Sequence, residues 1–96
     1  MAKYFVYIMT CKKNTTIYIG VTNDIGRRFT EHKEGNTPCF TKRYNLHKLV
    51  YFEEFPGIEP AIAREKQLKS WRREWKDELI ETKNPDWEDL SGQVLS

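Results

Sequence analysis

Thr16-Ile17-Tyr18-Ile19-Gly20-Val21-Thr22-Asn23-Asp24-Ile25-Gly26-Arg27-Arg28-Phe29-Thr30-Glu31-His32 is the stretch from which the rest of the chain can be read. Ile17, Ile19 and Val21 alternate with Thr16, Tyr18 and Gly20, the period-two pattern of a half-buried strand. Asn23 or Asp24 then offers a side-chain oxygen to cap a helix. On that helix Arg28 and His32 stand four residues apart and share a face. Strand, turn and helix thus bring a phenol, a guanidinium and an imidazole toward one another by local structure alone.

Upstream, Tyr4-Phe5-Val6-Tyr7-Ile8-Met9 is rich in β-formers and reads as the first strand. Cys11-Lys12-Lys13-Asn14 reads as the turn between the two strands. A hairpin centred between Lys12 and Lys13 makes Tyr7 and Tyr18 equidistant from the turn, facing each other with Cβ atoms about 5 Å apart. Such a pair either only packs or presents two hydroxyls to a site. Gly20 weakens a strand unless something approaches the backbone there. It shares a strand face with Tyr18, which leaves two readings: close approach of a ligand, or a bulge.

Downstream, Ile25, Phe29 and His32 or Lys33 lie near one stripe of the first helix, and Gly35 suits its C-terminal cap. Residues 37–45 form a polar, basic connection with room for one helical turn. Residues 46–55 read as the third strand, with Leu49, Tyr51 and Glu53 on one face and Val50, Phe52 and Glu54 on the other. Pro56-Gly57 stops it. Glu59-Pro60 opens a second helix, where Pro60 loses little by lacking an N–H. Glu65 falls on or beside its apolar stripe of Ala61, Ile62 and Leu68. A carboxylate there needs a partner, either a cation such as Lys69 or a metal ion. Ser70 is expected to cap a third helix with Trp71, Trp75 and Leu79 as its core stripe. Arg72, Arg73 and Lys76 lie elsewhere on that helix, and Asn84-Pro85 ends it. The element order is β-β-α-(short α)-β-α-α. This is an α/β (α+β) domain with a small three-stranded, mainly antiparallel sheet flanked by helices. Residues 1–90 are expected to form one domain and 91–96 a frayed tail.

Ninety-six residues with 39% hydrophobic, 14% aromatic and 31% charged side chains can bury one modest core, so a disordered chain is excluded. The net charge of +2 hides an asymmetry: nine Lys/Arg against three Asp/Glu in residues 1–50, and seven against eleven in residues 51–96. A basic half suits a polyanion such as nucleic acid, although a mixed solvated surface has the same totals. Cys11 and Cys39 are too few for a disulfide framework, and the apolar run at residues 4–9 is too short for a signal peptide or membrane span. A reducing cytoplasm is the expected setting.

Taken together, Phe5-Val6-Tyr7, then Tyr18-Ile19-Gly20 after ten residues, then Arg28 eight residues beyond the glycine, resemble the GIY-YIG nuclease domain. Glu65 and Asn84 fall where that family has its metal-binding Glu and a supporting Asn. The resemblance spans residues 3–87 and is closest to small stand-alone bacterial members. Only the Tyr of the first element is kept. Val21 stands where some repair nucleases have a Lys, and His32 where members carry His or Tyr.

The resemblance implies hydrolysis of a DNA phosphodiester with one divalent metal, Mg²⁺ or Mn²⁺, and a role in DNA repair or recombination. Glu65 would be the metal's protein ligand, with water and phosphate completing its shell. Arg28 would fork onto the phosphate oxygens. Tyr18 would be the base, oriented by Tyr7, and His32 would relay a proton or bond phosphate. A free phenol has a pKa near 10 and is only about 0.1% ionised at neutral pH, so neighbouring positive charge is required for that role. Lys12, Lys13, Arg27, Lys42, Arg43, Arg72 and Arg73 are the candidate contacts to the DNA backbone, giving affinity without sequence choice. Relatives often gain specificity from an added domain, which 96 residues leave no room for, so weak or structure-dependent selection is expected. Two other classes stay open: a nucleic-acid-binding module that keeps the fold and cuts poorly, and a zinc-stabilised domain using Cys11, His32, Cys39 and His47, whose spacing is unfamiliar for zinc.

Overall fold

A computed structural model describes residues 3–10, 16–28 and 48–93. His32, Lys12, Lys13, Lys42, Arg43, Cys11, Cys39 and His47 lie outside the described residues, as does the connection expected to hold a short helix. The described elements are β1 (Tyr4–Thr10), β2 (Ile17–Thr22), a helical turn at 25–28, β3 (Lys48–Phe55), α1 (Ile58–Ser70) and α2 (Arg73–Lys83). A 3₁₀ turn at Ser91–Gln93 follows, closed by Gln93 N–H donating to Leu90 O.

The sheet order is β2-β1-β3 and both pairings are antiparallel. The central strand explains its own sequence. Val6 to Thr10 are all buried because β1 is covered on both faces, so its pattern is a continuous apolar run rather than an alternation. One face carries Val6, Ile8, Ile19, Val50 and Tyr51 and is covered by Ala61 and Leu68 of α1, Ile80 of α2, and Trp87. The other carries Tyr7, Met9 and Leu49 with Phe5, Tyr18 and Phe52, and is covered by Ile25 and Leu90. Each fully buried aliphatic side chain here contributes roughly 1.5–3 kcal/mol.

Strict alternation along β3 is overturned by a register shift against Ile8 and Met9. The irregularity puts Val50 and Tyr51 together on the α1 face and leaves Leu49 and Phe52 on the other. Tyr51 then donates its hydroxyl proton to Glu53, and the Arg64 Nε and Nη2 close on the same carboxylate at 3.0 and 3.1 Å. Burial by itself pushes the Glu53 carboxyl up; the hydrogen bonds from Arg64 and Tyr51 and the charges of Arg64 and Lys83 outweigh it and hold the pKa below the usual value. This clamp ties β3 to α1.

The helix junction also differs from expectation. Ser70 is the last residue of α1, its hydroxyl donating to Gln67 O at 2.7 Å. Trp71 and Arg72 are extended, and Arg72 is the N-cap of α2 without a side-chain cap. Of the expected Trp71, Trp75 and Leu79 stripe, Trp71 and Leu79 pack against the rim of the core and Trp75 does not. Ile80 takes the buried position, and Trp75 is 49% exposed.

Candidate active site

Tyr7 and Tyr18 lie on the same face of the sheet, but not directly opposite. Tyr7 pairs with Gly20 and Tyr18 with Met9, two residues away from a hairpin centred between Lys12 and Lys13. A slip of two preserves the face, so the rings still meet diagonally, with centroids 6.1 Å apart and planes at 40°. The same register explains Gly20. The Tyr7 ring lies over it: a Cβ at position 20 would stand 2.5 Å from Tyr7 Oη, 2.7 Å from Cζ and 3.0 Å from Cε1. The Tyr7 ring accounts for this glycine, and no bulge is involved, since the β1–β2 pairing runs without a shift.

Tyr7 is 3% exposed, and its hydroxyl is strongly held in the protonated state. Burial is the largest cause, followed by the adjacent Tyr18; the Arg28 charge opposes, and a hydrogen bond with Tyr18 and the Glu65 charge add to the upward shift. A hydrogen bond that favours the neutral phenol is one in which Tyr7 donates. Tyr7, Tyr18, Arg28 and Glu65 come from β1, β2, the helical turn and α1, and the structure gathers all four within electrostatic reach.

Arg28 is positioned by its own turn. Asp24 is the N-cap: its Oδ1 accepts from Arg27 N–H at 3.0 Å and its carbonyl from Arg28 N–H at 3.0 Å. The Thr22 hydroxyl oxygen accepts from Asp24 N–H at 3.1 Å, fixing the strand end to the cap. Arg28 Nε is buried without a hydrogen-bond partner, the one such side-chain nitrogen among the described residues. A buried charged donor left unmatched is expensive and calls for an acceptor.

The Glu65 side chain is 20% exposed and pairs with Lys69 Nζ at 3.5 Å, so of its two expected partners the lysine is present. The Lys69 side chain is 53% exposed and free to yield. Among the described residues no three His, Cys, Asp or Glu side chains gather in one place. The donors near the tyrosines are carboxylate and phenol oxygens. That set suits a hard cation that keeps most of its waters and binds through one carboxylate, and Mg²⁺ or Mn²⁺ fits it.

Ile17, Tyr18, Ile19, Lys69 and Lys76 line a groove of about 270 Å³ along the free edge of β2. Lys69 and Lys76 were not among the sequence-derived phosphate contacts. The available signal was positional: Lys69 is one helical turn from Glu65, and Lys76 follows the Arg72-Arg73 pair by one turn. Arg27 is exposed beside Arg28. Arg72 is exposed over Trp75, whereas Arg73 is paired with Asp77 at 2.7 Å. Asn84 is 5% exposed and fully engaged with backbone: Nδ2 donates to Val50 O at 3.0 Å and Glu88 O at 2.8 Å, and Oδ1 accepts from Glu88 N–H at 2.9 Å. It is anchored to β3, across β1 from the strand of Tyr18.

Residues 3–78 match the family model for the GIY-YIG catalytic domain, and the chain belongs to that family, a family of nucleases acting on nucleic acid. It is 37% identical to a UPF0213 protein of Haloquadratum walsbyi over 81% of this chain and 86% of that one. A UPF0213 protein of Staphylococcus haemolyticus is also 37% identical, over 84% of this chain and 98% of the relative. The solution NMR structure of a UPF0213 protein from Bacillus halodurans superposes with a TM-score of 0.58 at 29% identity, covering 98% of this chain and 99% of that one. The relatives therefore span bacteria and archaea, and the α+β fold is common to this chain and the solved one.

Proposed function

We propose that this protein is a divalent-metal-dependent endonuclease that hydrolyses DNA phosphodiester bonds, selecting its substrate weakly or by DNA structure, in repair or recombination. The observation that carries the reading is the meeting of Tyr7, Tyr18 and Glu65 with a guanidinium whose Nε–H is buried and unmatched. A phosphate oxygen is the acceptor that nitrogen suits, and Arg28 then offsets the charge building on phosphorus. Tyr7, held protonated, donates to Tyr18 and orients its oxygen. Tyr18, half-exposed beside the groove, takes the proton of the attacking water. Glu65 would hold the metal ion in place of Lys69, and the ion would supply polarisation of the phosphate and stabilisation of the leaving oxygen. Arg27 and Arg72 hold the DNA backbone; Lys12, Lys13, Lys42 and Arg43 join them by their charge, and His32 takes its role from the family pattern. Asn84 is a positioning residue that secures β3 and the 84–88 turn.

Among the described residues no helix is long and apolar enough to cross a membrane. The pairing of Glu65 with Lys69 favours one second reading, a binding module with little activity. Wild type and Glu65→Ala, assayed on single-stranded, duplex, flap and branched DNA with Mg²⁺, Mn²⁺ or chelator, separate the two. Metal-dependent cutting that disappears in Glu65→Ala while binding persists supports the nuclease; binding without cutting in any metal refutes it. Turnover should rise with pH in wild type and lose that slope in Tyr18→Phe. A slope retained in Tyr18→Phe removes Tyr18 from the role of base.

A further inference from the structure

Trp75 stands apart from the core, 49% exposed on α2. Trp71 braces it edge-on, with ring centroids 6.2 Å apart and planes at 83°. The Arg72 guanidinium lies 5.6 Å from its ring centroid. The next residue, Lys76, lines the groove that contains Tyr18 and Lys69, so that groove reaches from Tyr18 to the helix position beside this tryptophan. At 100° per residue, Arg72 and Lys76 fall on one side of Trp75 around the helix, and Glu74 and Glu78 on the other. The charges define a lane. A polyanion is drawn along the Arg72–Lys76–Lys69 side and repelled from the Glu74–Glu78 side.

We propose that Trp75 is a stacking platform for an unpaired base, so that the protein recognises a single-stranded segment of nucleic acid running from the β2 groove onto α2. An apolar protein partner would match the ring but leave Arg72 and Lys76 without counter-charge. A nucleic-acid strand matches both, since cationic grooves with exposed aromatic rings hold single strands by backbone charge and base stacking. A base inside a duplex has its faces covered, so the platform discriminates single strands and frayed or flapped ends from blunt duplex. The proposal deepens the nuclease reading by naming the substrate class, and it rests on that reading for the direction of the strand toward Tyr18.

The test is a binding titration of the full chain in chelator, at fixed salt. The probes are a labelled oligothymidylate of about 15 nucleotides and a blunt duplex of equal length. Trp75→Ala should weaken oligothymidylate binding about 5- to 150-fold, while Trp75→Phe stays close to wild type and duplex binding is unchanged in both. Oligothymidylate should also quench the tryptophan emission of wild type, and Trp75→Phe, which keeps Trp71 and Trp87, should lose that quenching. Equal oligothymidylate affinity for wild type and Trp75→Ala overturns the proposal, as does quenching retained in Trp75→Phe. Self-association of wild type that Trp75→Ala abolishes also overturns it and makes the face a contact between copies of this chain. If Trp75→Ala does not fold, the Trp75→Phe quenching decides alone. Because binding is read without metal, loss of cutting with stacking intact defeats only the nuclease reading, and duplex cutting with no Trp75-dependent binding defeats only this one.

Discussion

Gly20→Ala tests the site and the fold at one atom. In a strand with room for a methyl group, Ala is roughly 0.5–1 kcal/mol better than Gly, because Gly loses more backbone freedom on folding. Here the new Cβ would stand 2.5 Å from Tyr7 Oη, against an ordinary contact beginning at 3.4 Å. The ring must retreat by about 0.9 Å, the difference between those distances. It has little room, since Tyr7 is 3% exposed and clustered with Met9, Ile25 and Leu49. Overpacking of this kind costs about 1–3 kcal/mol. It outweighs the backbone gain, so the net destabilisation should be about 1–2 kcal/mol. For a chain of this size that lowers the melting temperature by about 4–15 °C, measured by circular dichroism. Moving the ring also breaks the Tyr7–Tyr18 hydrogen bond, so turnover per folded molecule should fall. In a Tyr7→Phe background the 2.5 Å contact is gone and the 2.7 Å contact remains, so the same substitution should cost less. Gly20→Ala at or above wild-type stability, or an equal penalty in both backgrounds, would refute the assignment of Gly20 to the Tyr7 ring.

Two further outcomes follow from the supporting structure. Glu53 has a lower pKa folded than unfolded, so its stabilising contribution is complete above the ordinary carboxylate pKa of about 4.3 and disappears as pH falls through the folded value. Glu53→Gln should therefore lose about 1–3 kcal/mol near neutral pH and less in acid, read by urea unfolding at several pH values; an equal loss at every pH would count against the clamp. Asn84→Ala should lose about 1–3 kcal/mol, because Val50 O and Glu88 N–H lose their buried partner. Asn84→Asp should be worse, with a carboxylate facing the Val50 carbonyl. A kinetic defect in Asn84→Ala without loss of stability would instead argue for contact with substrate.

Much of this was legible because the relevant signals are local. The alternation of Ile17, Ile19 and Val21, the cap at Asp24, and the Pro56-Gly57 stop act within a few residues of the backbone they shape. The Tyr7–Tyr18 pairing was legible as to face, since a two-residue slip of register keeps every side chain on its side. The slip itself was not, because it depends on a turn whose conformation the residue types leave open. The β3 faces were misread for a related reason: an extra residue in a pairing leaves no trace where it falls, in the apolar run from Leu49 to Phe52. Ser70 is a good capping residue in isolation, yet α1 runs through it because packing of Leu68 and the extended Trp71-Arg72 link set the helix end.

By itself the sequence determined the α+β class, the family, the strand-turn-helix unit that offers Tyr18 and Arg28, and the need of Glu65 for a partner. Those follow from periodicity, propensity and ordered spacing, which are properties of a chain before it folds. Tertiary structure alone decided that Gly20 makes room for the Tyr7 ring, that Asn84 is bound to β3, and that Trp75 faces solvent beside Arg72. Each of these is a meeting of groups from separate elements. It depends on the strand register and on the rotation of α2 about its axis, and those are set by how the whole core closes.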